Sequence, residues 1–241
     1  MKIFADLHTH TNVSQHAYSS LHENVLAARK KGFVAVGITD HGPGMMDGAI
    51  RHHFYCLKGL PKEIDGIQLV RGAEVNIKDF RGALDLDDEV LQALDFVIAS
   101  YHAEAIEPGT VREHTEGWLN VARNPLVDCI GHAGNPMFAC DYEALVKACA
   151  EFGKVIEINS NSFKVRPGSD CNCRTIAGLC RTYRVPVLVS SDAHVLYSVG
   201  EHGDAIRMLE EIGFPEELVI NADKDRVLEF IRKLRSGAKA D

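Results

Sequence analysis

Seven short apolar runs recur along this chain: Lys2–Leu7, Val34–Thr39, Gln68–Ala73, Phe96–Ser100, Val127–Gly131, Lys154–Asn159 and Pro186–Ser190. Each is too short for a typical helix and too continuously apolar for a half-exposed strand. Such runs suit strands buried on both faces, as in parallel sheets. Their ends recur roughly every 30 residues, the chain length that one βα unit consumes. Helix signals fall between them. Ser20 precedes Leu21–Lys31, with Gly32 as the stop; Thr110 precedes Val111–Arg123; Asp141 precedes Tyr142–Phe152, with Gly153 beyond; and Lys224–Leu234 carries apolar residues at helical spacing. These are the expected cap and stop residues. Seven strands alternating with helices predict a parallel α/β fold, first a closed or nearly closed barrel and second an open doubly wound sheet. No G-x-G-x-x-G follows the first run, which counts against the dinucleotide-binding form of the open sheet.

The strand ends carry the chemistry, because active sites of such barrels are built where the strands end. The first run ends in His8-Thr9-His10, the second in Asp40-His41, the third in Glu74, the fourth in His102, the fifth in His132 and the seventh in Asp192-Ala193-His194. His16 lies in the loop after the first run. In extended chain, residues i and i+2 point the same way, so His8 with His10, and Asp192 with His194, aim at one centre. Seven imidazoles and two carboxylates then meet at one rim. Buried together, the carboxylates would raise their own pKa or repel each other. Divalent cations resolve this, and nine donors satisfy two or three ions at three to four ligands each. Nitrogen and oxygen donors without thiolate suit zinc, manganese or iron. A single histidine in a strand or loop is more often packed or solvated than a ligand, but packing does not account for six of seven strand ends. Of the other histidines, His22, His114 and His202 fall in or at the start of helices and read as structural or solvent-facing. His52 and His53 lie in the long segment after His41, where His53 stays open as a site residue.

Composition bounds the rest. At 241 residues, 46% hydrophobic and 25% charged, the chain reads as one globular domain over 1–241. A net charge of −8 and the lack of a basic aromatic stripe argue against a dedicated nucleic-acid binder. No stretch approaches the roughly 18 apolar residues that span a bilayer. Met1-Lys2-Ile3-Phe4 runs straight into a strand pattern without a signal-like segment, so a cytoplasmic protein is expected. Seven scattered cysteines without C-x-x-C read as free thiols. The close pair Cys171-Asn172-Cys173 is read as loop or packing thiols before metal ligands, and Ser236 to Asp241 as a frayed tail.

The motifs H-x-H at 8–10, T-D-H at 39–41, G-A-E at 72–74 and S-D-A-H at 191–194 resemble those of the PHP (polymerase and histidinol phosphatase) domain, and the chain is most similar to its YcdX-like phosphatase branch. His102 and His132 fill the expected gaps, and the resemblance runs from Met1 to about Leu234. It implies a distorted (β/α)7 barrel, TIM-barrel-like, holding three divalent ions. By resemblance, His8, His10, Glu74 and Asp192 bind one ion, Glu74 bridges to a second that His102 and His132 also hold, and His16, His41 and His194 bind the third. The implied activity is phosphatase action on a small phosphorylated substrate, a monoester, by direct attack of a metal-bridged hydroxide; zinc is the first expectation for the metal, with manganese or iron as alternatives. Asp40, beside His41, is a candidate to orient a ligand or carry a proton. Arg166, in the loop after the sixth run, is a candidate to receive the rest of a phosphorylated substrate. Asn76 and Tyr101 are placed at the rim as candidates for specificity. Three other readings stay open: a nuclease or phosphodiesterase on nucleic acid or nucleotides, a metal-dependent amidohydrolase, and a non-catalytic metal-binding module. No membrane partner is expected, and a homo-oligomer is left open.

Overall fold

The computed structural model describes residues 1–236, so the tail beyond Ser236 lies outside the described residues. All seven runs form strands: β1 (Ala5–Asp6), β2 (Ala35–Ile38), β4 (Ile67–Asn76), β5 (Phe96–Ser100), β6 (Cys129–Ile130), β7 (Val155–Asn159) and β8 (Val187–Ser190). They pair in parallel in the order β1-β2-β4-β5-β6-β7-β8. An unforeseen two-residue strand, β3 (Glu63–Ile64), pairs antiparallel with the start of β4. Its cause is Asp65-Gly66, both at positive φ (52° and 79°), the two-residue turn that matches the twist of a hairpin.

Alternation along each strand sorts the core into two layers. Leu7, Val70, Phe96, Ile98, Cys129 and Leu188 point into one cluster with Ile220, Val227 and Ile231. The last two belong to the final helix (Lys224–Arg235), which therefore plugs the end of the barrel opposite the strand ends. Val97, Ala99, Ile156, Ile158 and Val189 point the other way, against the surrounding helices. The expected helix boundaries recur with their caps. The helices Leu21–Lys30 and Val111–Arg123 start with reciprocal Ser20/Glu23 and Thr110/Glu113 hydrogen bonds. Asp141 caps Tyr142–Phe152, which stops at Gly153 with φ 66°.

Between β8 and β1 no ladder forms. One parallel bridge, Thr9 to Ala193, joins their ends. Lower down, the Asn221 side chain stands in for a strand. Its Nδ2 donates to Ala5 O (2.8 Å) and Val189 O (2.7 Å), and its Oδ1 accepts from Val189 N (3.2 Å). The result is a nearly closed barrel of seven parallel strands among the described residues, as the sequence predicts. Both close cysteines are free and Cys173 is a packing thiol, as expected; only the loop setting is not met. Cys171 and Cys173 lie on the helix Ser169–Tyr183, not in a loop, where i and i+2 face apart; Cys173 is buried and Cys171 exposed. No helix among the described residues is long and apolar enough to cross a membrane.

Candidate metal centre

The nine residues singled out at the strand ends meet at the mouth of the barrel. His8, His10, His41, Glu74, His102, His132 and Asp192 are buried, while His194 is partly exposed and His16 stands exposed at the edge. Glu74 is the hub. Its Oε1 lies 2.8 Å from His132 Nε2 and 3.4 Å from His102 Nε2. Its Oε2 lies 2.8 Å from His41 Nδ1 and 3.3 Å from His8 Nε2. Asp192 Oδ1 lies 3.1 Å from His10 Nε2 and 3.6 Å from His8 Nε2. The His10 ring stacks on those of His41 and His194, both at 4.2 Å, and the His16 ring stacks on His194 at 4.5 Å.

Three groups of donors are close enough to share an ion: His8, His10 and Glu74; His41, Glu74 and His102; and His10, His41 and His194. His16 belongs to none of them. The donor chemistry fits divalent cations. His10 Nδ1 is buried without a hydrogen-bond partner, and His41 Nδ1 and Glu74 Oε2 have no well-directed hydrogen bond although they lie 2.8 Å apart. His8 Nε2 and His10 Nε2 stand 3.2 Å apart, as do His102 Nε2 and His132 Nε2 at 3.1 Å. Packing lone pairs this closely is unfavourable unless a proton or a cation lies between them.

Two strand ends are bent where they present His132 and Asp192. His132 (φ 26°) and Asp192 (φ 51°) adopt backbone conformations that non-glycine residues rarely occupy. Glu157, which no strand-end pattern singles out, holds much of this together. Its Oε1 accepts from His8 Nδ1 (2.5 Å) and Ser190 Oγ (2.5 Å), and its Oε2 accepts from the backbone N of His132 (2.7 Å). It fixes the His8 ring with Nε2 toward the centre. It comes from the sixth run, the one whose end carries none of the nine candidate ligands. The available signal was a carboxylate inside an otherwise apolar strand.

The charge balance is strongly coupled. Burial pushes the Glu74 carboxyl up, but the rings of His8, His102 and His41 outweigh it and hold it well below the usual range. Burial likewise raises Asp192, which His8, His10 and His194 overcome. Burial, with the neighbouring His41 and His194, drives His10 down to about 3. Burial and the nearby Arg166 drive His132 down to about 4. Both rings are therefore neutral at pH 7, the state in which imidazole can ligate a metal.

The remaining candidates take different places. Asp40 touches none of the nine rings through a hydrogen bond. It accepts from Thr11 N (2.7 Å), Thr11 Oγ1 (2.8 Å) and Ser14 Oγ (2.8 Å), and Ser14 Oγ accepts from His41 N (3.1 Å). His53 stands behind it, Nε2 3.7 Å from Asp40 Oδ2. His16 is held by Asp47 through Nδ1. Arg166 lines the cavity over the cluster, with Nη1 2.8 Å from Ser162 Oγ and 3.7 Å from Asp192 Oδ2. That cavity is about 690 Å³ and also takes in Tyr101, Asn135, Asn161 and Val195. Asn76 lies beneath His102 instead of at the rim. His114 uses both ring nitrogens on backbone groups, as a structural histidine does.

Comparison with known proteins agrees with this geometry. The PHP domain matches residues 6–161. A probable phosphatase of Clostridium botulinum (strain Okra / Type B1) is 44% identical over 232 residues, covering 96% of each chain. A probable phosphatase of Caldanaerobacter subterraneus subsp. tengcongensis is 44% identical over 237 residues, covering 98% of this chain and 93% of that one. The fold resembles that of a histidinol phosphate phosphatase from Lactococcus lactis, solved with zinc, L-histidinol and phosphate; the TM-score is 0.61 at 20% identity, over 88% of this chain and 94% of that one. The seven-stranded barrel, its mouth of histidines and carboxylates, and the extent of these matches establish that the chain belongs to the PHP-domain family.

Proposed function

We propose that this protein is a phosphatase acting on small phosphate monoesters. It is a metal-dependent hydrolase of phosphate esters. The observation that carries the reading is the gathering of nine nitrogen- and oxygen-donor residues at the floor of one cavity, five of the imidazoles within 4 Å of Glu74 and His10 Nδ1 buried without a partner. His8, His10, Glu74 and Asp192 would hold one divalent ion, Glu74 with His102 and His132 a second, and His16, His41 and His194 a third. Zinc suits this donor set, and manganese or iron could replace it. Bound there, such ions lower the pKa of water toward neutrality and neutralise charge on a transferring phosphoryl group.

The protein's own residues supply position and charge. Glu157 and Asn76 orient the rings of His8 and His102. Asp40 ties the loop after β1 to the end of β2, placing His16 and His41; it acts as a positioning residue and not by moving a proton. Arg166 swings from Asp192 to receive phosphate oxygens, for which a guanidinium has two-point geometry. The 690 Å³ cavity accommodates a small leaving group.

Elemental analysis of the purified protein, coupled to a panel of phosphomonoesters, single-stranded DNA, and amide and lactone substrates, tests this. Phosphomonoester turnover is expected, lost at least 100-fold in His8→Ala and Asp192→Asn. Arg166→Ala should raise KM more than it lowers kcat. Selective cleavage of DNA or of amides, or bound metal without any turnover, would replace this reading with a nuclease, an amidohydrolase or a metal-binding module respectively.

A further inference from the structure

His102 can offer a lone pair through Nε2 only if its proton sits on Nδ1. Nδ1 lies 2.7 Å from Asn76 Oδ1, so the question becomes what fixes the Asn76 amide. Its Nδ2 faces two groups that can only accept, Asp85 Oδ2 at 2.5 Å and the Gly42 carbonyl at 3.3 Å. Turning the amide over would set its oxygen against both. Asp85 grips the same residue twice more, accepting from Asn76 N at 2.9 Å and donating its own backbone N–H to Asn76 O at 3.2 Å. Its Oδ2 also accepts from Gly44 N at 2.7 Å, in the loop after His41. That loop is shaped around the carboxylate. A Cβ at Gly42 would lie 2.4 Å from Asp85 Oδ2, and one at Gly44 2.9 Å. Asp85 reaches Asn76 because a short hairpin folds back after β4, with Ile77 bridged to Leu84.

We propose that Asp85 is a positioning residue that, through the Asn76 side-chain amide, sets the tautomer of His102 and so presents its Nε2 to the metal centre. The assignment rests on the metallohydrolase reading for its purpose, but not for its geometry. Asp85 touches no ligand itself. It acts through hydrogen-bond polarity: an acceptor-only group holds an amide nitrogen, the amide oxygen holds Nδ1–H, and the lone pair is left on Nε2.

The test exploits that polarity. Asp85→Asn keeps shape but puts an NH₂ where an acceptor stood. With only one acceptor oxygen left for Asn76 N, Asn76 Nδ2 and Gly44 N, the hold on the Asn76 amide drops to the Gly42 carbonyl and that oxygen, the turned-over amide sets its NH₂ against Nδ1, and the share of His102 in the Nε2–H tautomer rises. Long-range ¹H–¹⁵N correlation spectra of metal-free protein at pH 8 read this directly, with His102→Gln identifying the signal. Competition against a chelator should show Zn²⁺ affinity at the weakest site lowered about 10–100-fold. Adding Asn76→Asp to Asp85→Asn restores an acceptor facing Nδ1 and should recover the Nδ1–H tautomer and at least part of the Zn²⁺ affinity. If Asp85→Asn does not fold, Asp85→Ala serves, with both tautomers expected. The proposal is overturned if His102 keeps Nδ1–H in the single variants, or if the paired variant binds Zn²⁺ no better than Asp85→Asn. Wild-type protein that takes up no Zn²⁺ would overturn the metallohydrolase reading instead, while the tautomer comparison still decides the role of Asp85.

Discussion

Glu157 shows how much one side chain inside a strand can govern. It receives an imidazole N–H, a hydroxyl and the backbone N–H of His132, whose φ of 26° needs an outside hold. Burial raises its carboxyl, but the His8 ring outweighs this by charge and by hydrogen bond and keeps it ionised. Glu157→Gln brings an NH₂ against at least one of those donors. Zn²⁺ affinity measured by chelator competition should fall about 10–100-fold, as for other groups that orient ligands. An unchanged affinity would mean that the His8 ring is held by packing alone. The nine residues at the strand ends were legible because type and position coincide: a histidine or carboxylate where each buried run stops. Glu157 and Asp85 were not, because their partners lie 149 and 9 residues away in sequence and are set by strand register and hairpin geometry.

Among elements, β4 and β5 are tied at the closed end of the barrel by Arg71 and Asp95. The guanidinium meets Asp95 Oδ1 at 2.7 Å and Oδ2 at 2.8 Å, and donates to the Lys58 carbonyl at 3.1 Å. Burial raises the Asp95 carboxyl, yet the Arg71 hydrogen bonds outweigh it and hold it below its ordinary value of 3.8. A carboxylate depressed in the folded state contributes stability that is present above the unfolded value and lost as pH falls through the folded one. Asp95→Asn should therefore cost about 1–3 kcal/mol near neutrality. In urea unfolding of metal-free protein, its deficit should shrink as pH drops below 3.8. A deficit that stays constant from pH 7 to acid would show that the charge on Asp95 contributes nothing. The helix boundaries at Ser20, Thr110, Asp141 and Gly153 were readable, since capping is a local matter of donors and backbone angles. The short β3 is not legible in the sequence because two residues carry no periodicity, although its Asp65-Gly66 turn is.

At the scale of the whole molecule, the barrel closes through a side chain. Asn221→Leu would leave Val189 N–H and C=O and the Ala5 carbonyl buried without partners. At about 1 kcal/mol or more each, the loss should reach about 3 kcal/mol. For a chain of this size that lowers the midpoint of thermal unfolding by about 6–12 °C. A shift of less than about 2 °C would show that the Thr9–Ala193 bridge and packing alone close the seam. The sequence by itself determined the alternating architecture, the parallel pairing and which nine donor residues gather at the barrel mouth, because burial periodicity, caps and the residue ending each strand are local properties that survive without three-dimensional knowledge. Only the tertiary structure decided which oxygen meets which nitrogen: that Glu74 is the hub, that Asp40 faces the loop after β1 and His53 instead of one of the imidazoles at the centre, and that Asn76 sits beneath His102, hydrogen-bonded to Asp85. Those contacts join residues far apart along the chain, and a hydrogen bond's polarity and direction exist only once the strands are in register.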